Sequence, residues 1–175
     1  MEQSVKPDAA LDTPRERYAA FVDSRKTIVI STVDESGLPF ISYAPVIRHE
    51  NRLYIYISQI SEHYRNIEAN PNIQVMMLAD EDQTGNLFAR ERVRWPCAAT
   101  NVGREGYEAV YAKFARQHGE SMMALLRSLD LSLFELVPAI GRYVVGFGQA
   151  YDVDLPGHLF EHVTNGNHSP KPGGH

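Results

Sequence analysis

The feature that most constrains this chain is a succession of short β-branched and aromatic runs joined by nothing longer than turns. Thr27-Ile28-Val29-Ile30-Ser31-Thr32-Val33 closes on Asp34-Glu35-Ser36-Gly37, and the run from Pro39 to Ile47 follows at once. A second turn at His49-Glu50-Asn51-Arg52 leads into Leu53 to Ser58. Parallel neighbours need a crossover of a dozen or more residues, and these connections are far shorter. The three runs are therefore expected to form an antiparallel meander.

The rest of the chain alternates between helical and strand signals. Thr13-Pro14-Arg15-Glu16 has the capping-box pattern with proline at the first helical position, which predicts a helix from Pro14 to Ser24. Ser61 is placed to cap a short helix that ends at Ala69, since Asn70 stands before Pro71 and is pushed out of the helical region. A strand from Ile73 to Leu78, an acidic loop from Ala79 to Asn86 and a long strand from Leu87 to Asn101 are expected next. Pro96 in that strand predicts an edge position or a bulge. Helical periodicity returns over Glu105 to Gln117 and Glu120 to Leu129, divided by His118-Gly119, and strands over Leu133 to Ile140 and Gly141 to Asp152 complete the regular part.

This order belongs to the α+β class: a small, mostly antiparallel β-barrel with peripheral helices, whose sheet can protect its edges by closing on itself. One domain is expected over residues 1–155, followed by a loop-like tail over 156–175 that holds three prolines and four glycines. A chain of 175 residues can bury a core without disulfides, and the single cysteine, Cys97, cannot form one within the chain. With no secretory signal pattern at its start, the chain is expected to be cytoplasmic. No apolar run approaches the roughly 20 residues needed to cross a bilayer, so no membrane span is expected. The net charge of −5 disfavours nucleic acid, whose binding rests on clustered Lys and Arg.

Two groups of residues stand out chemically. Four of the seven histidines, His158, His162, His168 and His175, fall in the last 18 residues, in a segment too polar to bury them. They are either solvated bystanders or metal ligands. A zinc site would need three or four ligands at fixed spacing, which this tail does not match, whereas haem iron needs only one proximal imidazole. The second group is Arg90-Glu91-Arg92-Val93-Arg94, where strand alternation would put Arg90, Arg92 and Arg94 on one face. Such a row is either a solvated face paired with acids or a site for a phosphate, a carboxylate pair or haem propionates.

The element order and several motifs resemble the FMN-binding split barrels related to pyridoxamine 5'-phosphate oxidase, and within them the haem-utilisation family of HugZ and HutZ. The resemblance covers almost the whole chain. It is carried by Ser61-Glu62-His63-Tyr64-Arg65-Asn66-Ile67-Glu68-Ala69-Asn70-Pro71, by Asn86-Leu87-Phe88-Ala89-Arg90-Glu91-Arg92-Val93, by Gly146-Phe147-Gly148-Gln149-Ala150-Tyr151, and by the histidine-bearing tail. Flavin-binding relatives often have a Ser-Arg-Lys-like triplet where this chain has Ser61-Glu62-His63. Glu62 would repel the FMN phosphate, so FMN is not expected.

What the family implies is a homodimer that binds haem and degrades it with oxygen, using electrons from a donor of unknown identity. His168 is then the axial iron ligand, with His162 as its rival, and Asp130 accepts a hydrogen bond from the imidazole. His63 and Thr27 are implied to lie near that aspartate at the dimer interface. Arg92, and after it Arg90, stand for the arginine near the distal side or the haem edge. His158 and His175 are left as bystanders. A haem carrier without turnover would use the same residues, and a flavin-dependent oxidoreductase would have to use Arg90 to Arg94 for its phosphate.

Overall fold

The computed structural model describes residues 13–163. Helix α1 spans Pro14–Ser24 and opens with the full capping box: Thr13 Oγ1 accepts from the Glu16 amide at 3.2 Å and Glu16 Oε2 accepts from the Thr13 amide at 2.9 Å. Strands β1 (Thr27–Val33) and β2 (Pro39–Pro45) form the first hairpin. Its turn is held by Asp34 Oδ1, which accepts from the amides of Ser36 and Leu38 at 2.8 and 2.9 Å, while Gly37 takes the left-handed φ of 81°. Strands β3 (Ile47–His49) and β4 (Arg52–Ser58) form the second hairpin. Between β2 and β3 the chain turns a corner at Val46, whose amide donates to the Lys26 carbonyl at 2.9 Å.

Helix α2 (Glu62–Ala69) and strand β5 (Asn72–Leu78) lead to the long strand β6 (Arg92–Gly103). Helices α3 (Glu108–His118) and α4 (Glu120–Ser128) precede β7 (Leu131–Pro138), β8 (Gly141–Gly146), β9 (Gln149–Val153) and β10 (Phe160–His162). All ladders are antiparallel. The sheet runs β10-β9-β8-β6-β5-β1-β2, and β6 also carries a branch through β7 and β4 to β3. It curls into a half-barrel, with β2 lying against β4 but not bonded to it in a ladder. Closure is thus incomplete, and β2, β10 and, at the end of the branch, β3 remain as terminal strands.

The core follows from strand alternation. Ile28 and Ile30 of β1, Val75 and Met77 of β5, and Val93 and Trp95 of β6 point into the curl, where Tyr18, Phe21 and Val22 of α1 cap them. Strand β4 is buried on both faces: Leu53, Ile55 and Ile57 face the barrel, and Tyr54 and Tyr56 face α3. Each such aliphatic side chain withdrawn from water contributes about 1.5–3 kcal/mol. Among the described residues no helix is long and apolar enough to cross a membrane.

Several expectations need correction. The strand expected from Leu87 does not begin there: Asn86 Oδ1 accepts from the Phe88 amide at 3.0 Å and winds Leu87–Ala89 into a 3₁₀ turn, so β6 starts only at Arg92. Pro96 sits in the central strand. β6 pairs with β8 through Arg94 and with β7 from Cys97 onward, so the missing N–H falls in the gap between the two partners. Helix α3 starts at Glu108 and not Glu105, because Gly106 adopts a φ of 83°. The last expected strand is broken in two at Phe147-Gly148, and the stretch expected to be loop from residue 156 contributes β10, which pairs Phe160 to His162 with Val153 to Tyr151. Ser61 occupies the N-cap of α2 but makes no cap bond; its hydroxyl donates instead to the Ser58 carbonyl at 2.6 Å.

Candidate functional site

The outer face of β6 carries the first group of candidate residues. Val93 and Trp95 point inward, so Arg92 and Arg94 point outward together. Arg90 does not share that face, because it precedes the strand. Its Nε donates to the Ala79 carbonyl at 2.7 Å and its Nη1 pairs with Glu81 at 3.0 Å, which ties the 3₁₀ turn to the acidic loop. The expected row of three cations is therefore a pair with Arg90 set apart. Arg92 donates to the Arg90 carbonyl at 2.8 Å and, among the described residues, has no carboxylate in ion-pair reach. Cross-strand from Arg94 is Arg142, which Asp152 neutralises at 2.7 Å.

Beside Arg92 lies an apolar ledge. The ladder pairs Arg92 with Val144, and continued outward it brings the β8–β9 turn alongside the 3₁₀ turn, which packs on β8. Phe88 is 88% exposed and Phe147 70% exposed at these two turns. These two side chains put large apolar rings in solvent at adjoining turns. His162 stands close by in β10: its ring lies 5.1 Å from that of Tyr151, and its Nε2 is 3.0 Å from the Gly148 carbonyl. In the tautomer that donates this bond, Nδ1 is the nitrogen left for a ligand.

Glu91 was read only as the residue between two arginines, and the structure gives it a role of its own. It points opposite to Arg92, is 15% exposed, and accepts from Arg17 of α1 at 2.9 Å and from the buried Tyr143 hydroxyl. Burial first, and then the bond to Glu91, push the Tyr143 phenol far above its ordinary value. This triad anchors the start of β6. A lone acid in a basic strand was the signal for it, but its partners lie 74 and 52 residues away.

The second group gathers at the other end of β4. Asp130 links α4 to β7, is exposed, and accepts from the Gln59 amide through its carbonyl at 2.9 Å. Because Ser58 pairs with Leu131, Asp130 lies beside the connection into α2 that carries Ser61, Glu62 and His63. His63 is half-buried, and burial holds its imidazole below the ordinary value. Behind them runs a polar chain absent from the sequence reading: Asn101 Nδ2 donates to Tyr64 at 2.9 Å, and Tyr64 and Gln59 each lie 3.4 Å from the Ser132 hydroxyl. Thr27 is not brought here. It starts β1, while α2 packs on the far half of that strand, where Asn66 donates to Thr32 at 3.1 Å. His168 lies outside the described residues, as do His175 and the rest of the tail beyond residue 163.

A curled antiparallel half-barrel with four helices defines a class, and the pyridoxamine 5'-phosphate oxidase family matches residues 14–144. Haem oxygenase HutZ of Vibrio cholerae serotype O1 is 37% identical over 155 residues, covering 87% of this chain and 88% of that protein. A crystal structure of HutZ, called there the haem storage protein of Vibrio cholerae, superposes with a TM-score of 0.69 at 35% identity, covering 75% of this chain and 95% of that one. ChuZ of Campylobacter jejuni superposes with a TM-score of 0.77 at 35% identity over 85% of this chain, which spans 61% of the ChuZ chain. The chain belongs to the HutZ/HugZ family of haem-utilisation proteins within the split-barrel class.

Proposed function

We propose that this protein binds haem and opens its ring with oxygen, releasing iron for use in the cytoplasm, as a homodimer fed by an electron donor. Haem is here the substrate, and when bound it supplies the iron at which oxygen is activated. The carrying observation is the ledge on β6: Arg92, without a carboxylate partner among the described residues, stands beside the exposed Phe88 and Phe147. Haem combines apolar faces with two propionates, and this surface offers contacts to both parts.

The chain's own residues divide the work. His168, in the tail over 156–175, is the axial ligand; Asp130 accepts the imidazole N–H and fixes the tautomer, which makes the other nitrogen a stronger donor to iron. The exposed Asp130 carboxylate has no partner among the described residues, which leaves it open to an imidazole from outside its own sheet. Arg92 neutralises a propionate or steadies the distal side, and Arg90 holds the turn that carries Phe88. His63 stands on α2, which packs on the far half of β1, and Thr27 starts that strand, so both can approach one Asp130 only if a second chain contributes. Dimerisation is supported by Leu38, Ile41 and Tyr43, exposed on or next to the terminal strand β2, together with Ile60. Light scattering should give about twice the 19.7 kDa chain mass.

FMN fits the same place poorly. At the start of α2 the Ser61 hydroxyl is spent on Ser58, Glu62 adds negative charge, and burial disfavours the charged form of His63. Storage without turnover is the second reading, favoured by the description given to the crystallised HutZ.

Spectra test the ligand. His168→Ala should lose or shift the Soret band of added haem, whereas Asp130→Ala should keep haem with altered ligand strength. If His162→Ala loses the band while His168→Ala matches wild type, the ligand is His162. Removal of all four tail histidines without spectral change would overturn the proposal.

A further inference from the structure

A different part of the molecule also gathers charge. Where α1 ends, beside the corner at Val46, a cleft of about 670 Å³ opens between β3 and α3. Its walls hold five of the chain's 17 lysines and arginines against two acids, in a protein of net charge −5. We propose that this cleft is a second ligand site, independent of the haem reading, which takes a small organic anion: an apolar body bearing a phosphate or a carboxylate.

Charge pairing within the cleft leaves cations over. Arg48 is neutralised by Asp23 at 2.8 Å, and Arg25 by Asp80 at 3.2 Å. Lys113 donates one N–H to the Arg48 carbonyl at 3.0 Å and has no carboxylate partner among the described residues. Lys26 and Arg116 have no carboxylate partner among the described residues. These three unneutralised cations face the same space, Lys26 from the connection between α1 and β1 and Lys113 and Arg116 from one face of α3 at a spacing of three residues. The remaining carboxylate in the lining, Glu50, lies 3.7 Å from His49, so cations outnumber acids in the wall, and a concave surface with such an excess raises the local concentration of a small anion.

The floor decides the body of the ligand. Val22, Val46 and Met77 line the cleft, and each is almost fully removed from solvent. These buried side chains close the bottom of the cleft, and a bare ion would fill only a small part of a space this size, whereas a ring or short chain bearing the charge fills more of it. The volume falls in the range of about 300–1,000 Å³ usual for small-molecule sites, too small for a macromolecule. Gln117 fixes the rim by donating to the Val46 carbonyl at 3.4 Å. Within one chain the site is remote from Asp130: β4 starts beside the cleft at Arg52 and ends at Ser58, a rise of roughly 20 Å at about 3.4 Å per residue.

The test uses the intact chain, with naphthyl phosphate and naphthoate titrated separately and inorganic phosphate as the bodiless control. At least one naphthyl probe should saturate at one per chain, weaken as salt is raised, and outcompete inorganic phosphate. The arm that saturates identifies the anionic group. In Lys26→Ala/Arg116→Ala, whose changes are on the surface, probe affinity should fall about tenfold to a hundredfold, as expected for loss of one or two charge-assisted hydrogen bonds, while the haem spectrum stays that of wild type. The proposal is overturned if neither probe saturates, if the double variant binds as tightly as wild type, or if it loses haem together with the probes.

Discussion

Tyr143→Phe isolates one hydrogen bond at the anchor of β6. The Tyr143 side chain is fully buried between α1 and the sheet, edge-on to Tyr18 with ring centroids 5.1 Å apart, and only its hydroxyl leaves the apolar core to reach Glu91. Removing that oxygen keeps the ring and its packing. A hydrogen bond to a charged acceptor contributes about 1.5–3 kcal/mol, and Glu91 keeps Arg17 at 2.9 Å, so the loss should lie near 2 kcal/mol. For a chain of this size that corresponds to roughly 4–8 °C in Tm. The assay is equilibrium urea unfolding at fixed chain concentration, closed as a double-mutant cycle with Glu91→Gln, where coupling of about 1 kcal/mol or more is expected. A loss below about 0.5 kcal/mol, or two strictly additive substitutions, would refute the view that this triad fastens Arg92 and the 3₁₀ turn to α1.

Further tests address other parts of the fold. A β-carbon on Gly141 would overlap the Arg94 carbonyl oxygen and the Trp95 indole, so Gly141→Ala should cost about 3 kcal/mol in the same unfolding assay; a neutral effect would contradict the packing of β8 on β6. Burial pushes the Cys97 thiol up to about 12, so iodoacetamide at pH 8 should leave the native protein unlabelled and label it fully in denaturant. Because burial lowers the pKa of His63 below 6.5, the folded chain binds its proton less readily than the unfolded one. Stability from this group is complete above the unfolded value and lost as pH falls through it, so His63→Gln should flatten the decline in Tm between about pH 7 and pH 5. An unchanged slope would show that other groups set it.

Local chemistry made much of the fold legible in the sequence. The capping box at Thr13, the Asp34 turn and the stop before Pro71 each act within a few residues, and each lies where its residues indicated. Misreadings came where a short polar side chain had a closer use than the one the pattern offered. Asn86 bonded its own turn and shortened β6, which separated Arg90 from Arg92; Ser61 bonded backward to Ser58. Pro96 was misplaced because a strand with different partners along its length creates an internal gap in the ladder, a property of the sheet that no single strand reveals. The candidate site was legible as residue types and not as geometry. The Glu91–Tyr143–Arg17 triad and the Tyr64–Asn101–Ser132 chain join residues tens of positions apart, beyond the reach of periodicity.

Turnover tests the central claim most directly. The purified protein loaded with one equivalent of haem per chain is mixed with a chemical reductant and oxygen, with catalase present to remove free peroxide, while the Soret band and released iron are followed together. Ring opening predicts decay of the band, an open-chain tetrapyrrole absorbance and iron appearing in step, all slowed in Asp130→Ala and Arg92→Ala. A Soret band that persists under these conditions, with iron retained, would contradict degradation and leave haem storage as the function.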